Sequence, residues 1–131
     1  MQLETPPTTL SKSAVTVYEL LSDVKNFEQL MPDSIETFEM IDGDTFKFAL
    51  KGMPEIVLRL KEKYPHSKVV LGAASDKLPF TLTADITEIA AEQSEVTLRF
   101  EGAFNAMMGM MIKGPITNFM ETLSQNMGNL G

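Results

Sequence analysis

The stretch Ile112–Met127, IKGPITNFMETLSQNM, decides the fold of this 131-residue chain. Its apolar residues recur at the spacing of one helix face, and they are Ile112, Ile116, Phe119, Met120, Leu123 and Met127. The pattern predicts a long amphipathic C-terminal helix, with Asn105 as a cap further upstream. Gly114-Pro115 should kink this helix, because proline lacks a backbone donor and its ring clashes with the preceding turn.

Upstream of this helix, apolar and polar residues alternate from Ile35 to Glu101. Apolar residues at every second position are typical of antiparallel strands with one apolar face and one solvent-exposed face. Turn signals such as Asp42-Gly43-Asp44 and Pro65-His66-Ser67 separate the runs, which predicts about six strands. The apolar face should carry Phe46, Phe48, Leu50, Ile56, Leu58, Leu60, Val69, Leu71, Phe80, Leu82, Ala84, Val96, Leu98 and Phe100.

The first part of the chain predicts an edge strand and two short helices. Residues 1–10 contain Pro6 and Pro7, which favours a short or irregular edge strand. Ser13 is a capping residue for a helix over Ala14–Ser22, whose apolar face holds Ala14, Val17, Tyr18 and Leu21. Asp23 should cap a second short helix that ends at Pro32, with Phe27, Leu30 and Met31 on one face.

This order of elements predicts an α+β fold in a single domain over residues 1–131. A sheet with one apolar face needs a cover, and the C-terminal helix is the only predicted element long enough to supply it.

Composition excludes several classes of function. The chain has no cysteine and one histidine, His66, so we expect no disulfide scaffold, no metal site and no cofactor. The net charge of −7 without a Lys/Arg cluster argues against nucleic-acid binding. No apolar stretch approaches the roughly 20 residues that span a bilayer, so no transmembrane segment is predicted. The N-terminus lacks the features of a signal peptide, which favours a cytoplasmic location.

The stretch Ser13–Met31, SAVTVYELLSDVKNFEQLM, followed by Pro32-Asp33, resembles the first helix pair of the START-like, or SRPBCC, superfamily. That group includes lipid-transfer START domains, the birch pollen allergen family and the polyketide cyclase/dehydrase-like proteins. The Met-rich entry to the last helix, with Gly114-Pro115, is also similar to many bacterial members. The resemblance implies a helix-grip fold: a curved antiparallel sheet of about six to seven strands wraps around the long C-terminal helix and leaves a cavity between them.

Apolar side chains should line this cavity, and no catalytic residue is assigned. Six of the ten methionines fall within residues 107–131, which favours either an adaptable ligand wall, ordinary gap-filling or a partner contact. Because side chains alternate between the two faces of a strand, Glu62 and Tyr64 should point inward like Leu60, unless the strand has already left the sheet there. The predicted lining comprises Phe27, Met31, Phe46, Phe48, Leu58, Leu60, Tyr64, Leu71, Leu82, Leu98, Phe100, Met108, Met111, Ile112 and Phe119.

Three functions are compatible with these features. The first is binding or carriage of a small hydrophobic molecule such as a lipid, isoprenoid or polyketide. The second is a cyclase or dehydratase that uses the same cavity, which the lack of paired inward polar groups disfavours. The third is an interaction protein that docks through its Met-rich surface.

The remaining charged residues are interpreted as surface features. His66 should be an exposed turn residue. Parity puts several basic residues on the outer face of the sheet, opposite acidic residues such as Asp85 and Glu101. These basic residues are Lys47, Lys51, Arg59, Lys61 and Lys63. The sequence carries no signal for an oligomeric state.

Overall fold

Eight strands and three helical segments make up the computed structural model, which describes residues 2–31, 35–50, 55–73, 80–102 and 106–127. Two strands and a helix pair come first: β1 (Gln2–Glu4), β2 (Thr8–Leu10), α1 (Ala14–Ser22) and a 3₁₀ helix (Val24–Leu30). Six strands and the terminal helix follow: β3 (Ile35–Asp42), β4 (Thr45–Leu50), β5 (Ile56–Tyr64), β6 (Lys68–Ala73), β7 (Phe80–Ala90), β8 (Gln93–Gly102) and α2 (Ala106–Asn126).

All eight strands belong to one antiparallel sheet with the order β1-β8-β7-β6-β5-β4-β3, and β2 also pairs with β8. The predicted N-terminal edge strand is confirmed as two short strands. Pro6 and Pro7 lie between them, because proline has no N–H to donate to a ladder. This split explains why the sheet has eight strands where about six to seven were predicted.

The concave face of the sheet carries the core. Directly opposed residues of neighbouring strands share a face, and the pairs Leu71–Leu82, Leu82–Phe100 and Ala84–Leu98 are all buried. The second half of α2 covers this face. Its predicted apolar stripe is confirmed by the exposures of Ile116, Phe119, Met120, Leu123 and Met127, each 4% or less.

The helix pair follows its local sequence signals closely. Helix α1 spans the predicted residues, and the Thr16 N–H donates to Ser13 Oγ at 3.1 Å, which confirms the cap. The second helix is a 3₁₀ helix, and the predicted cap by Asp23 is wrong. The Asp23 carboxylate lies 3.6 Å from Lys25 Nζ and makes no hydrogen bond to a backbone N–H of the 3₁₀ helix. Phe27, Leu30 and Met31 are buried as predicted.

Helix α2 continues through Pro115 as one element of 21 residues. The ring of Pro115 removes one backbone donor at the junction between the first part of α2, residues 106–114, and the second part, residues 116–126. The proposed cap Asn105 lies outside the described residues. Among the helices that the structure describes, none is long and apolar enough to cross a membrane.

Candidate functional site

The strand register brings the ends of several strands together beside the start of α2. Phe48 pairs with Ile56, Leu58 with Ala73, and Phe80 with Gly102. Since α2 begins at Ala106, its first turn lies at the same end of the sheet as these pairs. We call this the α2 end of the sheet. Residues 51–54, which follow β4, and residues 74–79, which follow β6, lie outside the described residues.

Stacked aromatic rings fill the interior between α2 and β4. The Phe119 ring lies 5.0 Å from that of Phe48, which lies 5.8 Å from Phe46, and Phe46 lies 5.8 Å from Phe27. These near-parallel rings are within the distance range of favourable aromatic pairs. On the central strands, Leu58, Leu71 and Leu98 are each 1% exposed, so protein atoms surround them on all sides.

Most of the predicted lining is therefore brought together as one packed cluster. Leu60 packs against this cluster and is half-buried. The side chains of Met108 and Ile112 lie outside the described part of the structure. The buried members of the predicted lining are Phe27, Met31, Phe46, Phe48, Leu58, Leu71, Leu82, Leu98, Phe100 and Phe119.

Gly109 is a small residue on the inner side of the first part of α2. Gly109 lies seven residues before Ile116 and eleven before Met120, which is about two and three turns at 3.6 residues per turn. It therefore lies on the same, sheet-facing side of α2 as these two buried residues. A Cβ atom built at Gly109 would meet no atom of the described residues within 4 Å. Within the described residues, the inner side of α2 is therefore open at Gly109.

Three exposed methionines lie on the opposite side of α2, and we call them the Met surface: Met107, Met110 and Met111. Each stands nine residues, or two and a half turns, before a buried residue of the inner stripe. Their exposures are 74%, 83% and 71%. The prediction that Met111 lines the interior is therefore wrong, because its side chain leaves α2 on the outer side. Met108 and Ile112 remain predicted lining residues.

Tyr64 also lies outside the interior. The pairing between β5 and β6 shifts by one residue between Leu60 and Glu62, which is a β-bulge at Lys61. One extra residue sends the following side chains to the other face, so the inward prediction for Glu62 and Tyr64 is wrong. Tyr64 is 47% exposed, and its hydroxyl donates to Glu62 Oε2 at 2.9 Å. This hydrogen bond raises the pKa of Tyr64.

The outer face of the sheet carries paired charges. Lys47 Nζ lies 3.3 Å from both Glu39 and Glu55, and hydrogen bonds to these two carboxylates raise the pKa of Lys47. Asp85 pairs with Arg99 at 2.6 Å and with Lys68 at 3.8 Å. Cross-strand charge pairing is confirmed for Lys47, but the partners of Asp85 are not among the predicted basic residues. The prediction that Lys63 lies on the outer face is wrong, because the bulge at Lys61 places Lys63 opposite the buried Val69. Lys51 lies outside the described residues.

A shallow groove of about 310 Å³ lies on this outer face, between β1, β8 and β7. Gln2, Glu4, Thr83, Arg99 and Glu101 contribute to its walls. The charged walls suit a polar molecule rather than an apolar one. The groove is also separate from the inner side of α2 at Gly109, because it lies on the outer face of the sheet.

The buried polar side chains give no support to an acid–base mechanism. Among the described residues they are four hydroxyls, those of Thr5, Thr45, Ser94 and Ser124. Each has a structural partner: Thr5 Oγ1 accepts from the Leu98 N–H, Thr45 Oγ1 accepts from Arg59 Nε, Ser94 donates to the Lys12 carbonyl, and Ser124 bonds with Thr8. General acid–base catalysis needs a titratable group at the reacting atoms, and none of these four supplies one.

Comparisons with solved structures agree with this architecture. A START superfamily protein from Mycobacterium smegmatis has a TM-score of 0.67 at 11% identity, covering 98% of this chain and 94% of the other. Norcoclaurine synthase from Thalictrum flavum has a TM-score of 0.74 at 11% identity, covering 98% and 86%. An uncharacterised protein from Bacillus thuringiensis has a TM-score of 0.65 at 13% identity, covering 97% and 98%.

No protein-family model matches the chain, and no curated protein matches it at a significant level. The likeness to solved structures therefore rests on shape. This chain has the helix-grip fold of START and Bet v1-like proteins, which confirms the fold and the resemblance predicted from Ser13–Met31.

Proposed function

We propose that this protein binds a small hydrophobic molecule in the space between the first part of α2 and the α2 end of the sheet. The proposal is supported by Gly109, on the side of α2 that faces the sheet, where no atom of the described residues lies within 4 Å of an added Cβ. The START superfamily fold of the neighbours supports this interpretation, because it too places a terminal helix across a concave sheet. The ligand would bind at the edge of the packed cluster rather than at its centre.

The chemistry of the surrounding residues favours an apolar ligand. Met108 and Ile112 flank Gly109 on the inner side of the helix by spacing, and Phe80 lies half-buried at the α2 end of the sheet. The Phe80 ring contacts that of Phe100, at 5.0 Å between centres. Small-molecule sites are mostly apolar with a few polar groups, and a lipid, isoprenoid or polyketide-like molecule suits such walls. The methionine thioether of Met108 would adapt its shape to the ligand.

A substitution at Gly109 tests the proposal. Gly109→Phe places a large side chain in the open space, so we expect the affinity for an apolar dye such as Nile red to fall at least about tenfold. The variant should stay folded, because the new Cβ meets no atom of the described residues within 4 Å. Phenylalanine also favours a helix over glycine by about 0.3–0.5 kcal/mol. The measurement is a fluorescence titration of protein refolded from denaturant, which removes lipid carried over from expression.

The adjacent residue supplies the matched control. Met110→Phe introduces the same ring one position further along α2, where the side chain is 83% exposed on the outer side. Its dye affinity should stay within about twofold of the parent protein. Equal dye binding by the parent and Gly109→Phe, or equal loss in both variants, would refute a site on the inner side of α2.

A further inference from the structure

The Met surface presents three thioether sulfurs to solvent, and the proposed ligand site does not use them. Its side chains are 71–83% exposed, whereas Met120 and Met127 of the inner stripe are 1% exposed or less. A peroxide converts a methionine thioether to a sulfoxide, and access to the sulfur governs the rate. Among the methionines of this region whose side chains the structure describes, a peroxide should therefore react first with the Met surface.

The three thioethers are also neighbours on the helix. Met107 precedes Met110 by three residues and Met111 by four, and these are the spacings of adjacent side chains on one helix side. Apolar pairs at these spacings stabilise a helix. A sulfoxide is polar instead, and its oxygen is a hydrogen-bond acceptor that competes with the helix for backbone N–H groups. Oxidation of the Met surface should therefore destabilise the helix that carries it.

Two glycines and a proline weaken the first part of α2. Gly109 and Gly114 each favour a helix less than alanine does. Pro115 supplies no N–H for the carbonyl of Met111, four residues earlier. Among the described side chains of residues 106–114, none is buried. A helix segment with little burial depends on its own side chains for stability, so a chemical change in three of them acts on it directly.

Tertiary contacts hold the second part of α2 in place. Its inner stripe is buried from Ile116 to Leu123. The side-chain amide of Asn126 donates to the Leu30 carbonyl at 3.0 Å, which ties the end of α2 to the 3₁₀ helix. These contacts do not involve residues 106–114. Pro115 therefore separates a part of α2 that depends on its exposed side chains from a part that depends on the core.

We propose that the Met surface is a site of reversible oxidation, and that its sulfoxides unwind the first part of α2 while the second part stays folded. In the forward step, one oxygen of hydrogen peroxide bonds to the sulfur as the O–O bond breaks. The sulfur loses two electrons, and the other oxygen leaves as water with both hydrogens. In the reverse step, a methionine sulfoxide reductase releases the oxygen as water and oxidises two thiols to a disulfide.

The first test measures where peroxide reacts. Full-length protein without added ligand is treated with hydrogen peroxide and digested, and mass spectrometry of the fragments locates each added oxygen. We expect Met107, Met110 and Met111 to be oxidised at least about tenfold faster than Met120 and Met127, because access to the sulfur differs. Equal rates for the two sets would overturn the proposal, since the Met surface would then have no selectivity for the oxidant.

The second test measures the helix by amide hydrogen exchange of the oxidised protein. The informative amides are those of residues 110–114, because the first four N–H groups of a helix have no acceptor within it. We expect these amides to exchange at least about fivefold faster after oxidation, and those of residues 119–126 to stay within about twofold. Unchanged exchange at 110–114, or an equal increase along the whole helix, would contradict the proposal.

A variant without the three sulfurs is the matched control, and it combines Met107→Leu, Met110→Leu and Met111→Leu. Leucine is similar to methionine in size and in helix preference, so exchange at residues 110–114 should match that of the untreated parent within about twofold. Peroxide should then leave this exchange unchanged. Faster exchange in the peroxide-treated variant would assign the effect to another methionine and would refute a role for the Met surface.

Discussion

Phe119→Ala should lower the free energy of unfolding by about 3–5 kcal/mol, the range for a buried phenylalanine cut back to alanine. The Phe119 side chain is 4% exposed, and its ring stacks on Phe48 at 5.0 Å. Removing it leaves a void between α2 and β4 that the packed cluster cannot close. Domains are stable by only roughly 5–15 kcal/mol, so the loss should be plain in urea denaturation followed by circular dichroism.

Met111→Ala is the control on the same helix. Because its side chain is 71% exposed on the outer side of α2, its removal should change the unfolding free energy by less than about 0.5 kcal/mol. The same placement predicts unchanged dye binding, whereas a cavity wall would have predicted weaker binding. A cost for Met111→Ala as large as that for Phe119→Ala would mean that the first part of α2 belongs to the core.

Leu82→Asp should prevent folding at 25 °C. Leu82 is 4% exposed and lies directly opposite Leu71 on one side and Phe100 on the other. An unpaired carboxylate at this position costs several kcal/mol, or must bind a proton to enter the core. Either cost is a large part of the total stability of a domain.

Thr83→Asp moves the same carboxylate by one residue, to the outer face of the sheet. Thr83 lies opposite Arg99, so the new charge gains a cationic neighbour, and the stability should change by less than about 1 kcal/mol. Dispersed amide signals in the NMR spectrum of Thr83→Asp, and their collapse in Leu82→Asp, are the expected readout. A folded Leu82→Asp at neutral pH would mean that β7 presents the opposite face to α2.

Local signals made much of this fold predictable from sequence. Ser13 caps α1 through its side-chain oxygen, and this short-range interaction needs no tertiary context. The alternation within β7 and β8 identified their inward residues because neither strand shifts register between Phe80 and Thr87. Likewise, the spacing of the inner stripe of α2 follows directly from 3.6 residues per turn.

Other features depend on contacts that alternation does not encode. The bulge at Lys61 inserts one residue into β5, and the apolar–polar pattern of that strand carries no mark of it. The outward direction of the Tyr64 side chain could therefore be recognised only from the pairing of β5 with β6. The Met surface differs, because its nine-residue offset from the inner stripe is present in the sequence. The same arithmetic places Gly109 on the inner side, whereas the open space beside it required the structure.

We propose that the two sides of α2 have different roles: an apolar ligand binds between α2 and the sheet, and the Met surface faces away from that site. Titration of protein labelled with ¹³C at its ten methionine methyl groups, using a medium-chain fatty acid, tests this most directly. We predict a saturable shift of the Met108 methyl signal, while Met107, Met110 and Met111 stay unchanged. Shifts at those three exposed methyls without one at Met108 would show that apolar molecules coat the outer side of α2, and would contradict a ligand site beneath it.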